Sequence, residues 1–249
     1  MTYVAFRAAP LGRCMPAAVT AAFFGFHASR IDGALPAAWE ICTPEDAEAA
    51  RRRSAAEALR RLWGSRLAGG SRLDALADQL WEISQRVDVA GRPLAAANRA
   101  LPRPEDGVER LWQATTTLRE HRGDGHNCVL VSRDLGPVDA HHLKILAGES
   151  DADILQRSRN WPIDEWAAGM ARLEAKGLVR DGKLTTPGSS LRQAVERETD
   201  VAARAPWRGL DRGEMESLAD ALAPLTRAVV ASGELPANNP VGMGPLSIG

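Results

Sequence analysis

Apolar residues recur at intervals of three and four along most of the chain, with proline and glycine as punctuation between the periodic segments. Leu73, Leu76, Leu80, Ile83 and Val87 keep this spacing and predict a helix after the break at Gly69-Gly70-Ser71. The same pattern predicts a helix from Pro16 to about Ile31. Thr43-Pro44-Glu45-Asp46 supplies a cap, a first-turn proline and early acids for a long helix reaching about Trp63. Gly91-Arg92-Pro93 opens a short helix through Asn98 to Leu101, which Pro102 and Pro104 end. A longer helix runs from about Glu105 to Arg133.

Beyond Gly136-Pro137 the periodic segments shorten, to Val138–Ala147, Asp151–Asn160 and Pro162–Ala175. LVRDGKLTT, Leu178 to Thr186, then sets two apolar runs around Asp181-Gly182, a hairpin-turn dipeptide. Three short helices followed by a small hairpin is the layout of a winged helix-turn-helix. Two further helices, about Gly188–Ala203 and Asp211–Ala231, precede the tail ELPANNPVGMGPLSIG. The fold class expected is mainly α: a helical pocket-forming region over residues 1–134, a winged helix-turn-helix with a small β wing over 135–190, and C-terminal helices and tail over 191–249 that pack back on the first region.

Composition narrows the function classes. Hydrophobic content of 45% and charged content of 25% are those of a soluble globular protein, and 31 Lys+Arg against 32 Asp+Glu leave a formal charge of -1. No global electrostatic pull toward nucleic acid or an anionic membrane survives that balance. Cys14, Cys42 and Cys128 are odd in number and lack CxxC spacing, which fits a reducing cytoplasm better than a disulfide framework. The stretch AAVTAAFFGFHA, Ala17 to Ala28, imitates a secretory leader, but His27 interrupts it, and it is far shorter than the roughly 20 residues a membrane span requires. Walker A, GxGxxG, GxSxG and HExxH patterns are missing, so phosphate-loop, serine-hydrolase and zincin chemistry have no support, and the sequence names no cofactor.

Several stretches resemble those of a largely actinobacterial winged helix-turn-helix family of unassigned function, related in fold to the MarR regulators. They are FRAAPLG (Phe6–Gly12), GRPLAAANRALP (Gly91–Pro102), LREHRGDGH (Leu118–His126), ILQRSRNW (Ile154–Trp161), EWAAGMARLEAKGLV (Glu165–Val179), LTTPGSSLRQAVERETD (Leu184–Asp200), APW (Ala205–Trp207) and NNPVG (Asn238–Gly242). The resemblance spans nearly the whole chain, and LREHRGDGH is its most specific part. It implies the winged-helix fold and, by likeness to MarR-type proteins, a homodimer formed by terminal helices. Members of that family carry a further helical segment ahead of the APLG motif, so the resemblance implies a pocket with one wall missing or supplied from elsewhere. Arg7, Asn98 and Asn239 are polar residues of these stretches placed to converge on such a pocket, or to cap turns and helix ends.

A DNA-reading winged helix needs basic side chains on its second helix and wing, because neutralising phosphates supplies most of the affinity. From Gly136 to Ser190 there are seven basic and eight acidic residues, and the helix that should enter the groove begins Pro162-Ile163-Asp164-Glu165-Trp166. Asp164 and Glu165 read as first-turn acids favoured by the helix dipole on a helix packed inside the protein. The module therefore reads as a scaffold with a degenerate DNA-binding surface.

LREHRGDGHNC, Leu118 to Cys128, places two histidines, an arginine, two carboxylates and two glycines late in an otherwise ordinary helix. With Leu118 at zero and about 100° per residue, Leu111, Ala114, Gly125 and Val129 share its stripe, Arg122 falls at about +40°, His121 at about -60° and His126 at about +80°. Ionisable groups on a buried face need partners or a ligand. Gly123 and Gly125 each weaken the helix by about 1 kcal/mol relative to alanine, and Gly125 on the inward face leaves room for a small molecule or another backbone. This gives candidate roles. His121, with Asp124 or Glu120 orienting its ring, and His126 are acid–base groups, while Arg122 offers a planar fork to an anionic ligand. The competing interpretation is a salt-bridge network tying the helix to its neighbours. No metal is assigned, because His121 and His126 lie five apart, about 140° around the helix. His141 and His142 read as surface or packing residues, and His27 as a core histidine. Two functions stay open: a small-molecule-binding protein on a winged-helix scaffold, extending to an acid–base enzyme of specialised metabolism, and a MarR-like ligand-responsive transcriptional regulator.

Overall fold

Caps and prolines set the helices close to where the pattern puts them in the computed structural model, which describes residues 1–64 and 70–235. The N-terminal helices are α1 (Thr2–Ala8), α2 (Pro16–Phe23), α3 (Ala28–Asp32), α4 (Leu35–Ile41) and α5 (Pro44–Trp63). Thr43 caps α5 as expected, its hydroxyl accepting from the Asp46 N–H at 3.0 Å. After α6 (Gly70–Ser84) and α7 (Pro93–Arg99) comes α8 (Gly107–Ser132), started by Asp106, whose carboxylate accepts from the Glu109 N–H at 2.9 Å. The 26 residues of α8 run uninterrupted through both glycines of the motif.

The winged module follows as α9 (Pro137–Leu146), α10 (Ala152–Arg159), α11 (Ile163–Ala175), β1 (Val179–Arg180) and β2 (Lys183–Leu184). Asp181 and Gly182 both take positive φ, 50° and 68°, as a two-residue primed turn demands, and β1 pairs antiparallel with β2 through Val179 opposite Leu184. Last come α12 (Thr186–Ala202) and α13 (Arg212–Ala231). The fold is mainly helical with one small two-stranded wing among the described residues. None of its described helices is long and apolar enough to cross a membrane.

Three apolar clusters form the core, and two of them include residues of α8. One joins α1 to α4 with Leu94 of α7, a second joins α5, α6 and α13 to the start of α8, and a third joins the end of α8 to the winged module and Val195 of α12. Helix α8 is thus a central axis, surrounded on nearly every side.

The single helix expected from Pro16 to Ile31 is broken. Phe24 takes φ of 47°, and the Gly25 carbonyl accepts hydrogen bonds from His141 Nε2 at 2.8 Å and Trp161 Nε1 at 3.0 Å. Those two donors, from α9 and from just beyond α10, reward the turn, which runs through the Phe-Phe-Gly-Phe segment where propensity alone is weak. The helix α11 does not pack inside, as its acidic first turn suggests it should. Its buried residues are Gly169 and Leu173, four apart, so one narrow stripe faces the module while Ile163 is 81% exposed and Asp164 and Glu165 lie in solvent.

Candidate functional site

The motif residues on α8 part company. Glu120, His121 and Asp124 are buried, at 1%, 1% and 2% exposure. Arg122 is not: it reaches outward to α12, where Glu196 and Asp200 accept from it at 3.1 and 3.0 Å. The wheel centres on the apolar stripe, whereas α8 is a central helix whose polar side is covered too. The buried sector is therefore centred between Thr117 and Asp124, which leaves Arg122 at its solvent edge. His126 is half-buried, with Nδ1 2.8 Å from the Thr199 hydroxyl.

Gly125 permits a side chain, not a void. Arg92, just ahead of α7, places its guanidinium over the glycine and donates to the carbonyls of His121 at 2.7 Å and Ala202 at 2.9 Å, and a Cβ at position 125 would collide with its Nη1. The room expected beside Gly125 is thus filled by the chain itself. Gly125→Ala is expected to cost about 1–2 kcal/mol, the worth of two hydrogen bonds to buried carbonyls, and a urea titration will show the lower midpoint.

On the α7 side, Asp124 accepts from the Ala95 N–H at 2.9 Å through Oδ2. Its Oδ1 and the Nε2 of His121 have no hydrogen-bond partner among the described residues. Burial pushes the Asp124 carboxyl up to about 6, against the pull of the Ala95 N–H. Burial, aided by the charge of Arg92, holds the His121 imidazole down at about 4. Asn98, also buried, donates to Leu94 O at 2.8 Å and sits beside the Gln113 amide, a packing role at the α7–α8 seam. Asn239 lies outside the described residues.

Open space with a charged lining is found on another flank of α8. A cleft of about 240 Å³ lies between α1 and α2, the second half of α8, and α9 and α10. Phe23, Phe24, Phe26, Leu130 and Leu155 form its apolar walls, and the polar lining is Arg7, Arg119, His126, Asn127, His141, Lys144 and Arg159. Four cations line it and, among the described residues, no carboxylate does. Glu120 lies outside the lining and holds two of the cations in place: Arg7 donates to it through Nε at 3.0 Å and Nη2 at 2.8 Å, and Arg119 at 2.6 Å. Arg7 also lies over the Phe23 ring at 4.4 Å, and Arg159 over Phe26 at 4.2 Å. Burial keeps both cleft histidines neutral near pH 7: His141 is held at about 4 and His126 below its ordinary value. Burial also lowers Lys144.

Of the residues expected in a pocket, Arg7 and His126 line this cleft, and Glu120 supports it from outside. His121, Asp124, Arg122, Gly125 and Asn98 do not line it. Arg119, Asn127, His141, Lys144 and Arg159 join it without having been singled out as ligands. Their common signal is weak: each is an isolated polar residue in a stretch whose apolar neighbours set the helical phase. His141, read as a surface or packing residue, is in the lining, while His142 packs under α11 with Nε2 2.8 Å from the Trp166 carbonyl.

The face of the winged module that would meet DNA is poor in available cations. Arg172 on α11 is tied to Asp139 at 2.9 Å and Lys176 to Asp134 at 2.8 Å, while Glu165 faces His27 at 3.2 Å. Arg157, Arg180 and Lys183 remain exposed at the edge and wing. Neither a curated protein nor a solved structure matches the chain. One family profile does, over residues 1–236, and with the three-helix module and its hairpin it establishes that the chain belongs to a helix-turn-helix family.

Proposed function

We propose that the protein binds a small organic anion in the cleft between its N-terminal helices and the winged module, and that the module serves chiefly as scaffold. The observation that carries this reading is the lining: four cations and two neutral histidines between phenylalanine walls, with no carboxylate among the described lining residues. Arginine forks match carboxylate, phenolate or phosphate oxygens in the plane, and the aromatic walls suit a flat apolar body. His126 keeps a place in this reading as a neutral hydrogen-bonding or proton-carrying group. The cleft is small, so the ligand is of the size of an aromatic acid or a short acyl chain.

Calorimetry with benzoate, salicylate and inorganic phosphate tests this directly. Each lost cation contact is expected to weaken binding by about tenfold, so Arg119→Gln combined with Lys144→Gln should reduce affinity by about a hundredfold. Binding that survives the double substitution unchanged sinks the proposal.

Membership of a helix-turn-helix family supports a second reading, a DNA-binding regulator, which we extend to a ligand-responsive homodimer of MarR type. The cleft is bounded by α9 and α10, so an anion seated there would bear on the orientation of the winged module. This reading requires affinity for duplex DNA at low salt that falls steeply as salt rises. With Arg172 and Lys176 engaged by carboxylates, we expect weak, shallow binding at about 50 mM salt, abolished by Arg180→Gln with Lys183→Gln. Tight, salt-steep binding to genomic fragments would put the regulator first.

A further inference from the structure

The two histidines that line the cleft are neutral, so each ring has one N–H, and their hydrogen bonds fix which nitrogen carries it. His141 sets Nε2 2.8 Å from the Gly25 carbonyl. A carbonyl only accepts, so the proton sits on Nε2 and the outer nitrogen of His141 is engaged. His126 is held from its inner nitrogen, with Nδ1 2.8 Å from the Thr199 hydroxyl. That hydroxyl belongs to a fully buried residue and stands 2.7 Å from the Val195 carbonyl, one turn back on α12. It has a single hydrogen. Pointed at Val195, that hydrogen allows two bonds, Nδ1–H to Oγ1 and Oγ1–H to the carbonyl. Pointed at the ring, it allows one and leaves two oxygens 2.7 Å apart with no hydrogen between them. Thr199 therefore donates to Val195 and accepts from His126, which puts the ring proton on Nδ1 and makes Nε2 an acceptor.

The placement of the ring turns this acceptor toward the cleft. Nδ1 faces α12, and a separate chamber of about 30 Å³, walled by Arg192 and Val195, occupies the α12 side of His126. The described lining of the cleft includes no residue of α12, so the outer nitrogen, turned away from that helix, looks into the cleft. Among the described residues nothing donates to it. The arginines of the lining, Arg7, Arg119 and Arg159, are donors with no accepting atom, so a plain carboxylate answers them and leaves His126 unmatched.

We propose that His126 Nε2 is the specificity-determining acceptor of the cleft, and that the ligand is a hydroxylated organic acid: its carboxylate meets the cations, and a hydroxyl set away from the carboxylate donates to Nε2. This deepens, and rests on, the anion-binding reading of the cleft. A site built to accept from a hydroxyl discriminates against the analogue without one, because its own polar atom is then left unpaired.

Calorimetry on the full-length protein tests this with benzoate, 3-hydroxybenzoate, 4-hydroxybenzoate, 3-fluorobenzoate and salicylate. One of the first two hydroxybenzoates should bind about tenfold tighter than benzoate. 3-Fluorobenzoate, similar in size but with no hydrogen to donate, should not, and neither should salicylate, whose hydroxyl is tied to its own carboxylate. His126→Leu should bring the ratio close to one. So should Thr199→Val, which keeps the ring but removes the group that fixes its tautomer, with circular dichroism confirming that each variant is folded. Nitrogen-15 spectra of the five histidine rings, assigned by substitution, give a readout on the wild-type protein: the proton should sit on Nδ1 of His126 and on Nε2 of His141. Benzoate binding that no hydroxybenzoate exceeds, a preference that survives either substitution, or a His126 ring protonated on Nε2 overturns the role of His126 and leaves the anion site standing. Failure of benzoate and of every hydroxybenzoate to bind removes the anion site and this inference together.

Discussion

Glu120→Ala is expected to destabilise the fold by about 3–5 kcal/mol, the usual cost of removing one member of a buried ion pair and stranding the other. Glu120 is 1% exposed and answers three N–H donors from Arg7 and Arg119, and the side chain of Arg7 is itself only 13% exposed. Removing the carboxylate leaves the Arg7 guanidinium buried against Phe23 without its ion-pair partner. Glu120→Gln, which keeps the shape and one acceptor, should lose less. The pH dependence follows from the direction in which the carboxyl is displaced: burial opposes ionisation, but Arg7 and Arg119 hold Glu120 below its ordinary value. A depressed carboxylate contributes stability that is present above its unfolded pKa of about 4.3 and is lost as pH falls through the lower folded value. Urea midpoints of wild type and variant should therefore differ most above pH 5 and converge in stronger acid. Equal midpoints at pH 7 would show that Glu120 has no structural hold on the two cleft arginines.

The helical frame is readable in the sequence because caps, prolines and periodicity agree locally. Thr43 caps α5 and Asp181-Gly182 turns the wing as their side-chain and backbone chemistry dictates. The candidate site is half legible for a related reason. A helical wheel assumes that one face is buried and that apolar residues mark it, and α8 breaks that assumption by being enclosed on its polar side as well. His121 and Asp124 stand out as odd residues for a helix, but the partner that fills the space at Gly125, Arg92, comes from a segment 29 positions ahead of His121 whose approach no local pattern encodes. The cleft is still harder to see. Its cations come from α1, α8, α9 and α10, brought together only because the Phe-Phe-Gly-Phe segment breaks a helix to meet His141 and Trp161.

Asp124→Asn is expected to stabilise the protein near pH 8 by up to about 2–3 kcal/mol, with the gain fading as the solution is acidified. The Asp124 carboxyl stands at about 6 in the fold against 3.8 ordinarily, because burial disfavours its charge and, among the described residues, only one oxygen accepts a hydrogen bond. Every tenfold change in proton affinity between the folded and unfolded chain corresponds to about 1.4 kcal/mol. A carboxyl raised in the native state costs stability above pH 6, and stability returns as pH falls from 6 toward 4, because there the folded chain holds a proton that the unfolded chain has released. Asparagine keeps the acceptor for the Ala95 N–H and carries no charge at any pH. His121 works in the opposite direction: depressed to about 4 by burial and Arg92, it costs stability as pH falls from about 6.5 toward 4, since the unfolded chain protonates first. In wild type these slopes offset each other between pH 4 and 6, and each single variant should expose the other's. Asp124→Asn should lose stability on acidification across that window, and His121→Gln should gain it. A wild-type-like profile in Asp124→Asn would mean that this carboxyl titrates at its ordinary value. A buried carboxylate and imidazole that each keep an atom unpaired among the described residues, at a stability cost, are what a packing network alone would not retain, so the size of that cost measures how far this seam departs from plain structural packing.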